Sequence, residues 1–216
     1  MQLIRSLQAT AVASLLSVGA ANAAMVNVAA STLDDAAPGL STTYSALDAL
    51  GTTLTVQASE SGSLGSIVSG PYQGLWFGGN QGTATYTFSF SNAISAFGLH
   101  INAMSTSGSL SEVIGAFTLD NEATPSFAFS NIAGTRWDGS SVSSSIGAGE
   151  FSLEVSVAPG HSFNSISFLH TQQGLPNGSV VRDIAYVAAA PVPEPETYAL
   201  MLLGLAGVGI VARRRR

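Results

Sequence analysis

The sequence predicts an all-β protein built as an antiparallel β-sandwich, and three observations predict it. The first is alternation: Thr83-Ala84-Thr85-Tyr86-Thr87-Phe88-Ser89-Phe90 sends apolar groups to one side and hydroxyls to the other without a break. The second is spacing, because short apolar runs recur between turn signals rich in Gly, Asn and Ser, and no long stretch has a 3.6-residue period. The third is composition: charged residues are only 9% of the chain and Gly contributes 23 of 216 residues. Few charges with many hydroxyls suit sheets that keep one face wet.

Taken in order, the strands are expected at Leu54 to Val56, Leu75 to Phe77, Thr83 to Phe90, and Ile94 to Ala103. They continue at Val113 to Leu119, Phe127 to Phe129, Phe151 to Val157, Ile166 to His170, and Val181 to Val187. Gly78-Gly79-Asn80-Gln81-Gly82 is a turn cluster before the longest of them. The apolar register changes between Ala96 and Phe97, which predicts a bulge beside Gly98. Leu40 to Leu50 is expected to hold one short helical turn. Antiparallel strands that bury one face each must pair into two sheets, and Tyr86, Phe88 and Phe90 are expected in the core between them.

Both ends of the chain read as addresses rather than as fold. Met1 to Ala23 has a positive start at Arg5, an apolar stretch and the small-residue exit Ala21-Asn22-Ala23, the pattern of a signal peptide cut before Ala24. At the other end, residues 191–197 form a proline-bracketed acidic hinge, 198–212 an uncharged run and 213–216 four arginines. Proline fixes φ and removes a donor, so Pro191, Pro193 and Pro195 keep the hinge extended and open to an enzyme. The run is 15 residues long, short for a transmembrane helix that usually needs about 17–25. Arg213, Arg214, Arg215 and Arg216 extend it by snorkelling and hold its far end in the cytoplasm.

Val192-Pro193-Glu194-Pro195-Glu196, a Gly/Ala/Leu run and terminal arginines, in that order, resemble the PEP-CTERM sorting signal of Gram-negative bacteria. The resemblance covers roughly the last tenth of the chain. It implies that Pro193, Glu194 and Pro195 are the sorting tripeptide and that a membrane-embedded exosortase is the processing partner. The inner membrane would then hold the precursor only transiently before delivery to the cell surface or outside. The exosortase systems of that family accompany exopolysaccharide production, so biofilm matrix is the implied surroundings. The phrase Thr87 to Ile101 is also similar to an element of the jelly-roll ectodomains that carry this tail.

Residues 24–190 remain as one β-sandwich ectodomain, long enough for a real core. Only Arg136 and Arg182 face eleven acids there, a net charge near −9. Such a domain is expected to bind no nucleic acid, which needs a basic face. The absence of cysteine excludes a disulfide scaffold and thiolate chemistry.

The candidate sites each have a plainer meaning. Glu150 and Glu154 share a strand face opposite the aromatics; a glycosidase uses paired carboxylates, but a solvated strand face is the commoner meaning. Asp120-Asn121-Glu122 gathers oxygen ligands as calcium loops do, without the spacing of one. Trp76, near Tyr72 and Phe77, and Trp137, between Arg136 and Asp138, are the candidate glycan contacts, since flat rings stack on sugars, but a core tryptophan or loop anchor is the commoner meaning for each. His100, His161 and His170 read as structural. No nucleophile elbow, phosphate loop or zinc motif occurs, so no catalytic residue, metal or cofactor is expected. The expected protein is a non-enzymatic surface or matrix protein sorted through an exosortase. A carbohydrate-binding module is the alternative, and an exported hydrolase comes third.

Overall fold

The computed structural model describes residues 25–35, 39–60, 63–68, 73–78, 82–102, 112–120, 124–133, 135–144, 149–172, 178–189 and 201–205. Within them the chain is almost entirely antiparallel strand. In chain order they are β1 (Met25–Val28), a four-residue helix α1 (Ala30–Leu33), β2 (Ser41–Tyr44), β3 (Leu54–Ala58), β4 (Leu64–Ile67), β5 (Gly74–Gly78) and β6 (Gly82–Asn102). Then come β7 (Glu112–Leu119), β8 (Ser126–Ala133), β9 (Arg136–Trp137), β10 (Ser141–Ser144), β11 (Glu150–Ser156), β12 (Phe163–Gln172) and β13 (Gly178–Ala188).

Strand β6 organises the rest. It runs for 21 residues, and its two halves have different neighbours. The first half pairs with β3 and β12, the second with β11 and β13. Each half therefore founds its own layer. One layer runs β2-β3-β6-β12-β7-β10-β9. The other runs β4-β5-β13-β6-β11-β8, with β1 also on β13. The two layers pack face to face, because aromatic side chains from both meet between them. Phe88 and Phe97, from the two halves of β6, lie 5.3 Å apart centroid to centroid. Phe90 meets Tyr186 at 5.1 Å, and Phe77 meets Tyr86 at 4.9 Å.

The sequence explains the change of layer. From Ala84 to Phe90 the even-numbered residues are buried, whereas Phe97, Leu99 and Ile101 bury the odd positions. The ladder loses step at Ser95: Ala188 pairs with Ile94 and Val187 with Ala96, leaving Ser95 as the extra residue. The bulge thus lies at Ser95, ahead of the position beside Gly98 that the apolar pattern predicts. One inserted residue swaps the faces of a strand whose side-chain period is two.

Tyr86, Phe88 and Phe90 are core residues, as their alternation requires. Leu40 to Leu50 is not helical. Ser41–Tyr44 pairs with β3, because Thr42, Thr43 and Tyr44 suit a pleated edge, and among the described residues of 24–190 the short helix is α1 instead. Strands β1, β2, β4, β9 and β10 had no expectation in the sequence; they are two to four residues long, too short for alternation to register.

Candidate functional site

The feature closest to a site is the outward face of the second layer, where β13, β6, β11 and β8 lie side by side. Register places its side chains in rows across the strands. One row reads Ser130, Ser152, His100, Asp183, and the next reads Ala128, Glu154, Gly98, Ala185. The small side chains leave a depression of about 320 Å³, closed towards β1 by Met25 and Val187. A Cβ on Gly98 would lie 3.5 Å from Ala185 Cβ, an ordinary contact, so glycine and alanine line the floor there.

His100 is the hub of this face. Its Nε2 lies 2.8 Å from Glu150 Oε1 and its Nδ1 lies 3.3 Å from Asp183 Oδ2. The three residues come from three neighbouring strands, with β6 in the middle. A neutral imidazole has one N–H and can donate to one of the two carboxylates; the imidazolium donates to both. Glu154, two rows from Glu150 on the same strand, is exposed and makes no hydrogen bond among the described residues. Glu150 and Glu154 do share the outward strand face. They are four residues apart along the strand, roughly 13 Å at about 3.3 Å per residue.

The two tryptophans have different surroundings. Trp76 stands in β5 between Leu75 and Phe77, both fully buried, and so faces outward. Its indole lies over two neighbouring strands at glycines: Cε3 is 3.5 Å from where a Gly65 Cβ would be, and a Cβ on Gly178 would collide with Nε1. Val180, its cross-strand partner, is also the partner of Asn102 at the end of β6. Trp76 therefore lies flat on the same outward face as His100, separated from β6 by one strand. Trp137 instead packs among Phe117, Phe127 and Phe129. Phe129 stacks on it at 5.8 Å with the planes 17° apart, so one face of the indole is occupied. It anchors the short strand β9 to the far layer.

The remaining candidates have local roles. Asp120 accepts the Asn164 N–H at 3.1 Å, which ties the end of β7 to the start of β12. Asn121, Glu122 and Tyr72 lie outside the described residues, and no group of three or more metal-ligating side chains occurs among the described residues. Asp138 accepts hydrogen bonds from the backbone and hydroxyls of Ser140 and Ser141, which hold its carboxyl well below the usual range. His170 is buried against Phe77 and Tyr86, and His161 sits in a turn whose N–H donates to Ala158 O. Asp48 fastens the segment after β2 to the second layer. It accepts from Leu50 N, Thr52 N, Thr52 Oγ1 and, at 2.8 Å, the Tyr186 hydroxyl. Sequence reasoning missed the meeting of His100 with Asp183, which are 83 positions apart.

The residues of both predicted addresses, Ala21 and Ala23, Pro193 to Pro195 and Arg213 to Arg216, lie outside the described residues. Residues 201–205 are helical and exposed, and no helix among the described residues is long and apolar enough to cross a membrane.

Comparison with known proteins supplies what the geometry of the tail does not. Residues 191–216 match the PEP-CTERM protein-sorting motif. The chain therefore carries an exosortase sorting signal at its C-terminus, and that signal implies export, exosortase processing and a surface-associated product. No curated protein matches the sequence. Among solved structures, the chain is similar to the xylan-binding module CBM15, at 11% identity over 71% of this chain and 99% of that one, with a TM-score of 0.33. It is similar to a family 11 carbohydrate-binding module from Clostridium thermocellum, at 14% identity over 78% and 98%, TM-score 0.33. It is also similar to an insecticidal crystal protein, at 13% identity over 68% and 21%, TM-score 0.30. Likenesses this remote name no ligand.

Proposed function

We propose that this chain is an exported, non-enzymatic structural protein of the cell surface or extracellular matrix, associated with exopolysaccharide. The observation that carries the reading is the sorting motif at residues 191–216 behind a β domain. In this reading residues 1–23 are a signal peptide cut after Ala23 by signal peptidase. Residues 24–190 are a jelly-roll-type sandwich, a reading supported by two layers that share one strand. The apolar run 198–212 anchors the precursor in the inner membrane until the exosortase acts at Pro193-Glu194-Pro195. Few charges and a hydroxyl-rich surface suit a domain that works among hydrated polysaccharide.

A second reading, a carbohydrate-binding module, is favoured by one specific observation: Trp76 lies flat on the outward face of the second layer, on the same side as the depression. The hydrolase reading has less support. Carboxylates that act on a glycosidic bond stand about 5–9.5 Å apart, whereas the Glu150 and Glu154 backbones are roughly 13 Å apart and Glu150 is engaged by His100.

The test of sorting is intact-mass analysis of the surface protein from a host that has an exosortase. The wild-type chain should lack the residues beyond the Pro-Glu-Pro region, and replacement of Pro193, Glu194 and Pro195 by alanine should leave a full-length, membrane-bound precursor. A wild-type surface protein that still ends at Arg216 would show the tail to be a plain anchor.

A further inference from the structure

We infer that the depression on the second layer is a binding site for an amine-bearing sugar polymer, one with free hexosamine ammonium groups, and that Glu154 is its principal contact. The inference rests on the polysaccharide reading above and narrows its ligand class.

Three features of this face lead there. The first is shape: Ala96, Gly98, Ala128 and Ala185 keep the floor low and mostly apolar, which lets the ring faces of a sugar chain approach the sheet. The second is the position of Glu154. Its row neighbours Ala128 and Gly98 have no polar side chain, so its carboxylate faces the depression without a protein donor among the described residues. The third is charge. Asp183 also lines the depression, and Glu150 lies just beyond His100. The imidazole of His100 is already shared between those two acids. Arg182, the neighbour of Asp183 in the chain, is not part of the lining, and its Nε is buried at the bulge in β13.

An anionic polymer would be repelled by this arrangement. A neutral sugar could offer Glu154 only hydroxyl donors. An ammonium group offers three N–H donors and a full opposite charge, and charge-assisted hydrogen bonds are roughly twice as strong as neutral ones. The domain as a whole, with two arginines against eleven acids, draws a cationic polymer towards itself. The face combines that charge with a shallow bed for the rings.

The experiment uses the full chain, purified in mild detergent, and titrates it calorimetrically with three probes in about 150 mM salt, which screens distant charges. The probes are a glucosamine tetramer with free amines, its N-acetylated counterpart and a neutral glucose tetramer. The free-amine tetramer should bind about tenfold or more tightly than either of the others, and Glu154→Gln should remove about tenfold of its affinity. Glu60→Gln changes the net charge equally at an exposed position outside the depression and should leave affinity unchanged. Glu154 is exposed, so its variant should keep the wild-type urea midpoint. If the neutral or acetylated tetramer binds equally well and Glu154→Gln has no effect, the amine inference fails while the polysaccharide reading stands. Equal weakening by both glutamine variants would reduce the attraction to diffuse charge and overturn the site. If no probe binds, the inference and the polysaccharide reading fall together.

Discussion

Tyr86 is the side chain through which the two-layer packing can be tested most directly. It lies in the first half of β6, fully buried, and its ring meets Phe77 of the opposite layer and Phe168 of β12. Its hydroxyl accepts from Gly78 N at 3.0 Å and donates to Ser63 O at 2.7 Å, linking one layer to the end of β5 in the other. Tyr86→Phe keeps the ring and removes both bonds. The size of the loss depends on what the freed groups do. Gly78 N also donates to Ser63 O at 3.1 Å, so neither group is orphaned when the hydroxyl is removed. The loss is then that of about two ordinary hydrogen bonds, roughly 1–2 kcal/mol, rather than the further 1–3 kcal/mol of a stranded buried donor. For a chain of this size each kcal/mol shifts the midpoint by about 2–4 °C, so a fall of roughly 2–8 °C is expected. Urea unfolding should show a lower midpoint with an unchanged slope, because no new surface is exposed on unfolding. A loss under about 0.5 kcal/mol would show that the hydroxyl does not bridge the layers, and a loss as large as that of deleting a core ring would show that Gly78 and Ser63 do not satisfy each other.

Other outcomes follow from the same geometry. Phe88→Ala removes a buried ring that meets Phe97 at 5.3 Å and Phe168 at 5.6 Å, and should cost about 3–5 kcal/mol by urea denaturation. Asp48 gives a pH dependence. Burial alone would raise its pKa, but hydrogen bonds from Thr52, Tyr186 and Leu50 outweigh burial and hold it below the ordinary value. A carboxyl whose folded value lies below its unfolded value stabilises above the unfolded value, near 4, and loses that contribution as pH falls through the folded value. The difference in urea midpoint between the wild-type chain and Asp48→Asn should therefore be present at pH 6 and shrink below about pH 4; a constant difference would contradict the assignment. Burial, then the Asp48 carboxylate, pushes the partner phenol of Tyr186 up to about 12, so it should stay protonated through neutral pH in a spectrophotometric titration. Duplex DNA should not bind at physiological salt, since only Arg136 and Arg182 of residues 24–190 could neutralise phosphates; salt-sensitive submicromolar binding would contradict this.

The sequence by itself determined the strand class, the inward face of Thr83 to Phe90 and the sorting motif of residues 191–216, because each is written in neighbouring residues. Alternation of period two needs only a handful of consecutive side chains to declare a buried face. Trp76 was less legible: a core ring or loop anchor is the commoner expectation for it, and only the burial of Leu75 and Phe77 on the other side shows that it faces outward. Trp137 was not legible either, because its strand is two residues long and its partners Phe127 and Phe129 come from the opposite layer. Tertiary structure alone decided that one strand serves both layers, since this depends on which strands pair with each half of β6. It alone decided the depression too. Asp183 reaches His100 only through the register of β13 on β6, and Glu150 only through the register of β11 on β6. A single-residue slip in either pairing would send these side chains to the core, and no local pattern records a register between strands 50 or 83 residues apart.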